Sequence, residues 1–360
     1  MNIAITGADG FIGKNLIEFI HHHLPKASLQ LINRYSYNSG QLSEKIMDCE
    51  FIIHCAGINR SENVYKENID LQKILLKAIE QVNFRGTLVN LSSIHAEKDT
   101  EYGRVKRDIE NFFKEHSVSN SYMCFSLRLP NVYGPYSREN YNTVVATFIY
   151  NELFQIKSQV SSGKIDLIYV KNVCSVIKSI LSGEATIDDL HRVPADVNIE
   201  IQELNLRIAK LVSSTLGSKL ELKSDLDKNL FRTITYFRLK NDLLQSTLKT
   251  HEDNRGWFSE LLHLDGLGQV SVSKTNTKAP RGNHYHTNKL ERFILLSGEA
   301  EVELIGFNGD KWKYILKPMS TIDIPNYYIH TLTKVSKEDL ICVFWVDEFY
   351  DINNPDTFYI

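Results

Sequence analysis

A glycine-rich turn close to the start of the chain constrains its fold more than any other feature. Residues 6–13 are Thr-Gly-Ala-Asp-Gly-Phe-Ile-Gly, which follow a strand-like run and open a helix-like stretch. Glycines allow a tight turn and a close approach to a pyrophosphate, and a helix N-terminus offers free N–H groups to that anion. This context predicts a dinucleotide site rather than a purely structural turn. The expected contacts are Gly7, Gly10, Phe11, Ile12 and Gly13.

The pattern of apolar runs changes along the chain. With 360 residues, the chain is long enough for two domains. Strand-like runs at 3–6, 29–32, 51–55 and 88–91 alternate with helix-like stretches at 11–22 and 69–82, which predicts an α/β Rossmann-type, doubly wound parallel sheet. A polar, helix-like segment, 203–248, follows. From about Trp257 strand-like runs dominate, separated by turns, and predict an all-β barrel or sandwich. We place the domains at 1–245 and 250–360.

Composition excludes several classes of protein. A net charge of −3 provides no basic surface for nucleic acid, so no nucleic-acid partner is expected. No apolar run approaches the roughly 18 residues of a membrane helix, and no cationic signal region precedes the first strand. The five cysteines are scattered without CxxC spacing, which is typical of reduced thiols. We therefore expect a cytoplasmic protein with no membrane partner.

Arg34 indicates which dinucleotide binds. It stands just beyond the second strand-like run, where an acidic residue would accept a hydrogen bond from the adenosine ribose. An arginine there favours the 2′-phosphate of NADP instead. The alternative is a solvated arginine without a ligand. The predicted cofactor is NADPH.

Tyr102 and Lys106 have the spacing of a proton-transfer pair. Positions four apart share one face of a helix, so the lysine can lie beside the phenol. A nearby ammonium and a positively charged cofactor ring would lower the pKa of the phenol, which could then exchange a proton as hydride moves. Ser92 and Ser93 end a strand-like run nine residues earlier, and a serine hydroxyl there can bond the reacting carbonyl.

These motifs resemble the extended short-chain dehydrogenase/reductase family, which includes epimerases and reductases of nucleotide sugars. The resemblance covers about 240 residues and extends to His-Cys-Ala-Gly at 54–57 and Leu-Arg-Leu-Pro-Asn-Val-Tyr-Gly-Pro at 127–135. It implies catalysis by Ser93, Tyr102 and Lys106, with Ala56 and Lys106 at the cofactor. It also implies that Asn68 and Asn131 lie near the substrate, although either could be a capping residue. One departure is Tyr-Val-Lys-Asn at 169–172, where relatives carry Val-Asp-Asp, so a local loop contact is in doubt.

A second group of reactive side chains lies in the β-rich part of the chain. His284 and His286 are two apart, so on a strand they point the same way, and Glu291 and His330 follow. Three imidazoles and one carboxylate suit an open site for zinc or another divalent metal.

This segment resembles a cupin, with a well-matched first motif over 282–298 and a weaker second one. There Tyr327 replaces the usual glycine, so either the turn differs or the tyrosine enters the pocket. Asp-Asn-Arg-Gly-Trp-Phe-Ser-Glu at 253–260 and Arg-Gly-Asn-His at 281–284 are also similar to the sugar 3,5-epimerases, in which the corresponding histidine is a base. His284 is therefore a candidate ligand, a candidate base, or both in different states.

The order of the two domains resembles bifunctional capsular-polysaccharide enzymes. The family similarity also includes Tyr141-Asn142 and Asn-Pro-Asp-Thr at 354–357. It implies that the cupin epimerises carbon 3 of a UDP-4-keto-6-deoxy-N-acetylhexosamine and that the reductase reduces carbon 4, giving UDP-N-acetyl-6-deoxy-L-talosamine. We expect a homodimer with one divalent metal, zinc, per chain. Two alternatives are a reductase whose cupin serves only dimerisation and a regulatory protein that binds a nucleotide sugar without turnover.

Overall fold

The first strand of the chain, Asn2–Thr6, buries alternate side chains against different layers. Ile3 and Ile5 share an apolar cluster with Leu16 of the first helix, whereas Ala4 belongs to a second cluster with Leu75 and Phe113 from two later helices. Successive side chains of a strand point to opposite faces, so a strand covered by helices on both faces must be apolar throughout.

The computed structural model describes residues 1–360 except 39, 59–60, 185–187, 189, 215–218, 221, 265, 350, 352 and 354. Asn354 therefore lies outside the described residues. The chain divides into two units, Met1–Ala209 with Asn229–Asn241, and Lys210–Lys228 with Asp242–Ile360. The domain boundary at 245–250 stays a prediction.

The elements of the first part of the chain alternate between strands and helices. In chain order they are β1 (Asn2–Thr6), α1 (Phe11–His23), β2 (Ser28–Ile32), α2 (Arg34–Asn38), α3 (Leu42–Ile46), β3 (Phe51–His54), α4 (Val64–Gln81), β4 (Thr87–Ser93), a 3₁₀ helix (Ile94–Glu97), α5 (Glu101–Asn120), β5 (Met123–Leu129), β6 (Asn131–Tyr133), α6 (Val144–Leu153), β7 (Lys164–Tyr169), α7 (Val170–Leu181), β8 (Leu190–Arg192), β9 (Val197–Glu200), α8 (Ile201–Ser214), β10 (Lys219–Leu220) and α9 (Asp225–Lys240). The segment predicted to be helix-like, 203–248, thus contains two helices and a short strand.

Six parallel strands form the main sheet, in the order β2-β1-β3-β4-β5-β8, which confirms the doubly wound prediction. A small sheet, β6-β7-β9, accompanies it. The chain moves from β1 to β2 on one side and then returns to β3 on the other. A crevice forms where the order reverses, at the carboxyl ends of β1 and β3, and open α/β sheets bind ligands there.

The later part of the chain is all-β, with antiparallel sheets, as predicted for a cupin barrel. Its strands are β11 (Thr250–Asp253), β12 (Gly256–Leu264), β13 (Gly268–Thr275), β14 (Arg281–Tyr285), β15 (Glu291–Ser297), β16 (Ala300–Ile305), β17 (Lys311–Leu316), β18 (Thr321–Ile324), β19 (Ile329–Lys334), β20 (Leu340–Val346) and β21 (Phe358–Tyr359). One sheet has the order β10-β12-β13-β20-β15-β18, with β11 beside β12, and the other has β17-β16-β19-β14-β21. Phe293, Leu295, Val302 and Leu332 bring both sheets into one core.

No helix among the described residues is both long and apolar enough to cross a membrane.

The N-terminus of α7 lies at 169–172, where the sequence departs from the family pattern. The Asp196 carboxylate accepts a hydrogen bond from the backbone N–H of Tyr169 at 2.7 Å and another from Asn172 Nδ2 at 2.9 Å. A carboxylate at a helix N-terminus satisfies a free N–H group and interacts favourably with the helix dipole. A residue from the loop just before β9 therefore holds the start of α7.

We predict that Asp196→Ala lowers the free energy of unfolding by about 1 kcal/mol, the typical effect of losing a helix cap. Urea denaturation followed by circular dichroism measures this change. Asp196→Asn should lose less, because its amide oxygen can still accept one of the two bonds. Equal stability of Asp196→Ala and the parent protein would contradict the capping role.

Candidate functional site

A cavity of about 680 Å³ opens at the carboxyl ends of β1, β3 and β4. It brings together eleven of the residues singled out in the sequence of the first domain: Gly7, Gly10, Phe11, Ile12, Gly13, Arg34, Ala56, Ser93, Tyr102, Lys106 and Asn131. Residues separated by more than a hundred positions in the chain therefore line one cleft, at the place where the strand order predicts a ligand.

The glycine turn lies directly against the loop after β3. Gly7 has a φ of +66°, and a Cβ atom added to it would come within 2.8 Å of the Ala56 backbone nitrogen. A Cβ atom on Gly13 would come within 2.3 Å of the Gly7 carbonyl oxygen. Gly10 is the N-cap residue of α1 and provides no side-chain hydrogen bond to it. The turn is therefore closed to side chains, while the first N–H groups of α1 stay available to an anion.

Arg34 lines the same cavity. It is exposed and begins the short helix α2, beside Asn33, which also lines the cavity. The Asn33 side chain accepts a hydrogen bond from the backbone N–H of Ser36 at 3.1 Å and so begins this turn. The Arg34 side chain is therefore exposed where it lines the cavity, and its contact with a phosphate stays a prediction.

Tyr102 and Lys106 lie on one face of α5, which begins at the Thr100 cap. The Lys106 ammonium nitrogen is 5.8 Å from the centroid of the Tyr102 ring and 3.5 Å from the Leu91 carbonyl oxygen. Ser93 lines the same cavity and favours the phenolate form of Tyr102. The three side chains thus meet inside the cavity.

The structure distinguishes the two serines at the end of β4. The Ser92 hydroxyl donates to the buried Glu110 carboxylate, whereas Ser93 faces Tyr102 and accepts from the His95 backbone N–H at 3.2 Å. Both serines line the cavity, but the hydroxyl of Ser92 is already bonded to Glu110, which favours Ser93 as the serine that meets a carbonyl. The choice of Ser93 over Ser92 stays a prediction, which this geometry favours.

Burial dominates the acid–base properties of the pair. It raises the pKa of the Tyr102 phenol above its usual value, and the neighbouring Ser93 hydroxyl acts in the opposite direction. Burial lowers the pKa of Lys106 to about 8, and the Glu110 charge opposes that shift. The expected lowering of the phenol pKa by the lysine does not prevail in the protein alone, because desolvation disfavours the phenolate more strongly.

Glu110 is a functional candidate that the sequence analysis missed. Its carboxylate forms a two-point ion pair with Arg128, at 3.0 and 2.6 Å, in addition to its bond from Ser92. It is four residues beyond Lys106 on the same helix face. The four-residue spacing of Tyr102, Lys106 and Glu110 was the available signal.

The two predicted substrate asparagines have different surroundings. Asn68 is buried: its side chain holds the backbone of Ile58 through bonds of 3.0 and 2.7 Å and donates to the Val64 carbonyl at 2.8 Å. These backbone bonds favour the capping alternative. Asn68 is also not among the described residues that line the cavity. Asn131 lines the cavity and donates to the Asp166 carbonyl at 3.0 Å.

His95 was also missed. It lines the cavity together with Asn131, and its ring centroid lies 6.1 Å from that of Tyr102. Both His95 and Asn131 also line an adjoining cavity of about 330 Å³. Burial lowers the pKa of His95 and favours its neutral form.

The second unit contains the predicted histidine–glutamate group. His284, His286, Glu291 and His330 offer four ligand atoms that all lie within 4.8 Å of one another. His284 on β14 pairs directly with His330 on β19, and Glu291 is the first residue of β15. His286 follows the end of β14. The fold therefore assembles the set from three strands and one loop.

Backbone carbonyls orient two of the rings. The Asp356 carbonyl oxygen lies 2.6 Å from Nδ1 of His286, and the Tyr328 carbonyl oxygen lies 3.3 Å from Nδ1 of His330. Their Nε2 atoms therefore face Oε2 of Glu291, at 3.4 and 3.0 Å. Such partners fix the tautomer of a metal-binding histidine.

Three buried atoms of this group have no hydrogen-bond partner among the described residues: Nδ1 of His284, Oε2 of Glu291 and Nε2 of His330. The short distance between His330 and Glu291 does not satisfy them, because it lacks hydrogen-bond geometry. Buried polar atoms are seldom left unpaired. Their convergence fits a divalent cation.

The charges of His284 and Glu291 also suit a cation. Burial lowers the pKa of His286, but the contact with Glu291 prevails and raises it. Burial and the neighbouring His330 ring lower the pKa of His284 to about 4. Burial raises the pKa of Glu291, but the adjacent His286 and His330 rings prevail and hold it at about 2. Neutral imidazole and ionised carboxylate are the forms that bind a metal.

Neither expectation for Tyr327 is correct. Its φ is +65°, so the turn keeps the left-handed conformation that glycine favours. Its side chain is 54% exposed, so it does not fill the pocket. Its backbone N–H donates to the His286 carbonyl at 2.8 Å, and this bond holds the strained turn against the ligand strand.

Both parts of the chain match known families. Residues 3–199 match the NAD dependent epimerase/dehydratase family, and residues 251–358 match the polysaccharide biosynthesis C-terminal domain. Among curated proteins, the chain is 30% identical over 375 aligned residues to UDP-2-acetamido-2,6-beta-L-arabino-hexul-4-ose reductase of Pseudomonas aeruginosa, covering 99% of this chain and 98% of that protein.

One solved structure is similar over the whole chain and another over about two thirds of it. The capsular polysaccharide assembling protein CapF of Staphylococcus aureus superposes with a TM-score of 0.89 at 29% identity, over 100% of both chains. UDP-N-acetylglucosamine 4-epimerase of Methanobrevibacter ruminantium has a TM-score of 0.56 at 19% identity and covers 66% of this chain. The second likeness shows the fold alone.

Proposed function

The chain belongs to the NAD dependent epimerase/dehydratase family, and we propose that it is a bifunctional enzyme of nucleotide-sugar metabolism. Its cupin epimerises carbon 3 of a UDP-4-keto-6-deoxy-N-acetylhexosamine, and its reductase domain reduces the ketone at carbon 4. The product is UDP-N-acetyl-6-deoxy-L-talosamine, for capsule or O-antigen synthesis. The observation that carries this proposal is the meeting of Ser93, Tyr102 and Lys106 in the cavity behind the glycine turn, in a chain similar over its whole length to a UDP-sugar reductase.

Each catalytic residue of the cleft has a separate role in the reduction. When bound, NADPH supplies the hydride. The Tyr102 phenol donates its proton to the ketone oxygen as that oxygen gains charge, and Ser93 donates a hydrogen bond to the same oxygen. Burial keeps Tyr102 protonated and ready to act as the acid. Lys106, close to the ring, stabilises the phenolate that remains.

Epimerisation in the cupin requires a base and a means of stabilising an enolate. The ketone acidifies the neighbouring C–H bond, so a base removes the carbon-3 proton and a proton returns on the opposite face. His284 is the candidate base, because burial keeps it neutral. The group of His284, His286, Glu291 and His330 would hold the metal, which either polarises the enolate oxygen or fixes the strands. Zinc suits these ligands best.

The test of the proposed function is NMR analysis of the product formed from purified UDP-4-keto-6-deoxy-N-acetylhexosamines with NADPH. The talo-configured product supports both activities. A second assay separates them within the full chain: a variant unable to reduce should still exchange the carbon-3 proton with deuterated water. Reduction without any exchange would leave the cupin with only a structural role, such as supporting the predicted homodimer.

We predict that Tyr102→Phe abolishes reduction while NADPH binding persists, because the phenol proton is needed at the carbonyl and the cofactor pyrophosphate lies on the glycine turn. Loss of one acid group typically costs about a hundredfold or more in rate. Stopped-flow absorbance of NADPH measures turnover, and fluorescence titration measures binding. Tyr65→Phe, which removes an exposed phenol bonded to Asp108, is the matched control. Near-normal turnover by Tyr102→Phe would refute the assignment.

We predict a preference for NADPH over NADH that Arg34→Asp reverses or erases. The guanidinium attracts the dianionic 2′-phosphate, whereas an aspartate repels it and accepts a hydrogen bond from a free ribose hydroxyl. The ratio of kcat/KM values for the two cofactors measures the preference. Lys26→Asp, an equal change of charge at an exposed position outside the cavity, should leave that ratio unchanged. Equal efficiency with both cofactors in the parent enzyme would overturn this role.

We predict one divalent metal per chain, and His330→Ala should lower the metal content and the thermal stability of the cupin. Its ligands come from separate strands, so metal binding is coupled to folding. Elemental analysis and calorimetry measure the two effects, with exposed His251→Ala as the control. NADPH binding should be intact. Unchanged metal content in His330→Ala would exclude this site, and surviving carbon-3 exchange without metal would make the metal structural.

A further inference from the structure

The end of the chain lies against the histidine–glutamate group. Strand β21 pairs with β14 so that Tyr359 stands opposite His284, and the two rings are 5.3 Å apart. The Asn283 side chain donates to the carbonyl of Ile360 at 2.7 Å. Residues 355–360 therefore form part of the surroundings of the group, although they lie outside the two cupin motifs.

Asp356 makes the densest set of contacts in this segment. Its carboxylate accepts hydrogen bonds from three successive backbone N–H groups, those of Thr287 at 3.1 Å, Asn288 at 2.9 Å and Lys289 at 2.9 Å. The Thr287 hydroxyl donates a fourth. Asp356 is only 9% exposed and has a φ of +39°, which few residues other than glycine adopt. An unfavourable backbone conformation persists when surrounding contacts hold it.

The loop that Asp356 binds connects two members of the group. Residues 287–290 run from His286 to Glu291, so the carboxylate fixes the separation of these two side chains. The Asp356 carbonyl oxygen, 2.6 Å from Nδ1 of His286, also sets the ring so that Nε2 faces Glu291. One residue thus controls both the position and the tautomer of a ligand.

We propose that Asp356 is a positioning residue of the metal centre, which holds His286 and Glu291 at the separation that a divalent cation requires. The inference rests on the proposed metal site. A carboxylate that merely stabilised a loop would affect metal-free and metal-loaded protein equally. A positioning residue affects the affinity for metal more than the stability of the metal-free fold, because the ligands stay present but lose their alignment.

The experiment uses the full chain, freed of metal by a chelator. Zinc affinity is measured by competition with a chromophoric chelator, and cobalt absorption reports the coordination geometry. Asp356→Ala should bind zinc about 10- to 100-fold more weakly and give an altered cobalt spectrum. Asp356→Asn, which keeps one acceptor oxygen, should fall between Asp356→Ala and the parent. Asp323→Ala removes an exposed carboxylate of the same barrel, paired with Arg292, and should bind zinc as the parent does.

The outcomes separate this inference from the proposed function. If the parent protein does not bind zinc, the proposed metal site itself is refuted. Normal zinc affinity and an unchanged cobalt spectrum in Asp356→Ala would overturn only the positioning role, as would equal losses of thermal stability with and without zinc. If Asp356→Ala does not fold, the zinc affinities of Asp356→Asn and Thr287→Val test the role instead. Thr287→Val removes one of the four donors to the carboxylate. Parent-like affinity in both of these variants would also overturn the role.

Discussion

The attachment of β3 to the end of β1 is the interaction on which the cofactor cleft depends. Thr6, fully buried, bonds through its hydroxyl with Nδ1 of His54 at 2.8 Å and accepts from the Ala56 N–H at 3.3 Å. Its carbonyl accepts from the Cys55 N–H at 3.2 Å. These bonds bring the loop after β3 against Gly7, where a Cβ atom would collide with Ala56. Only glycine permits this approach, and the cavity opens beside it.

The sequence predicted those parts of the structure that follow from local patterns. Alternation of apolar strands with amphipathic helices was enough to predict the sheet. The glycine turn indicated the end of the sheet at which the cavity opens. The His-x-His spacing indicated a metal group, because side chains two apart share a face of a strand. The position of Tyr327 was not predictable, since tyrosine rarely adopts a positive φ and local preference gives way here to the hydrogen bond with His286.

The contacts that the sequence could not reveal join residues far apart in the chain. Glu110 bonds Ser92 and Arg128, each 18 residues away, Asp196 caps a helix 27 residues earlier, and Asp356 binds a loop nearly 70 residues away. A buried carboxylate is costly unless several donors surround it. Glu110 and Asp356 have such donors, but which donors meet which carboxylate is decided by the fold. A local sequence pattern therefore cannot predict which donors and carboxylates pair.

On the proposed function, the chemistry itself fixes the order in which the two sites act. The ketone at carbon 4 acidifies the carbon-3 proton, and the same ketone accepts the hydride. Once Tyr102 has protonated the reduced oxygen, the carbonyl is gone and His284 has no acidified proton to remove. Epimerisation must therefore come before reduction, and reduction makes the new configuration permanent. The reduction that follows therefore draws a freely reversible epimerisation towards one product. This coupling gives a chemical reason for joining both activities in one chain.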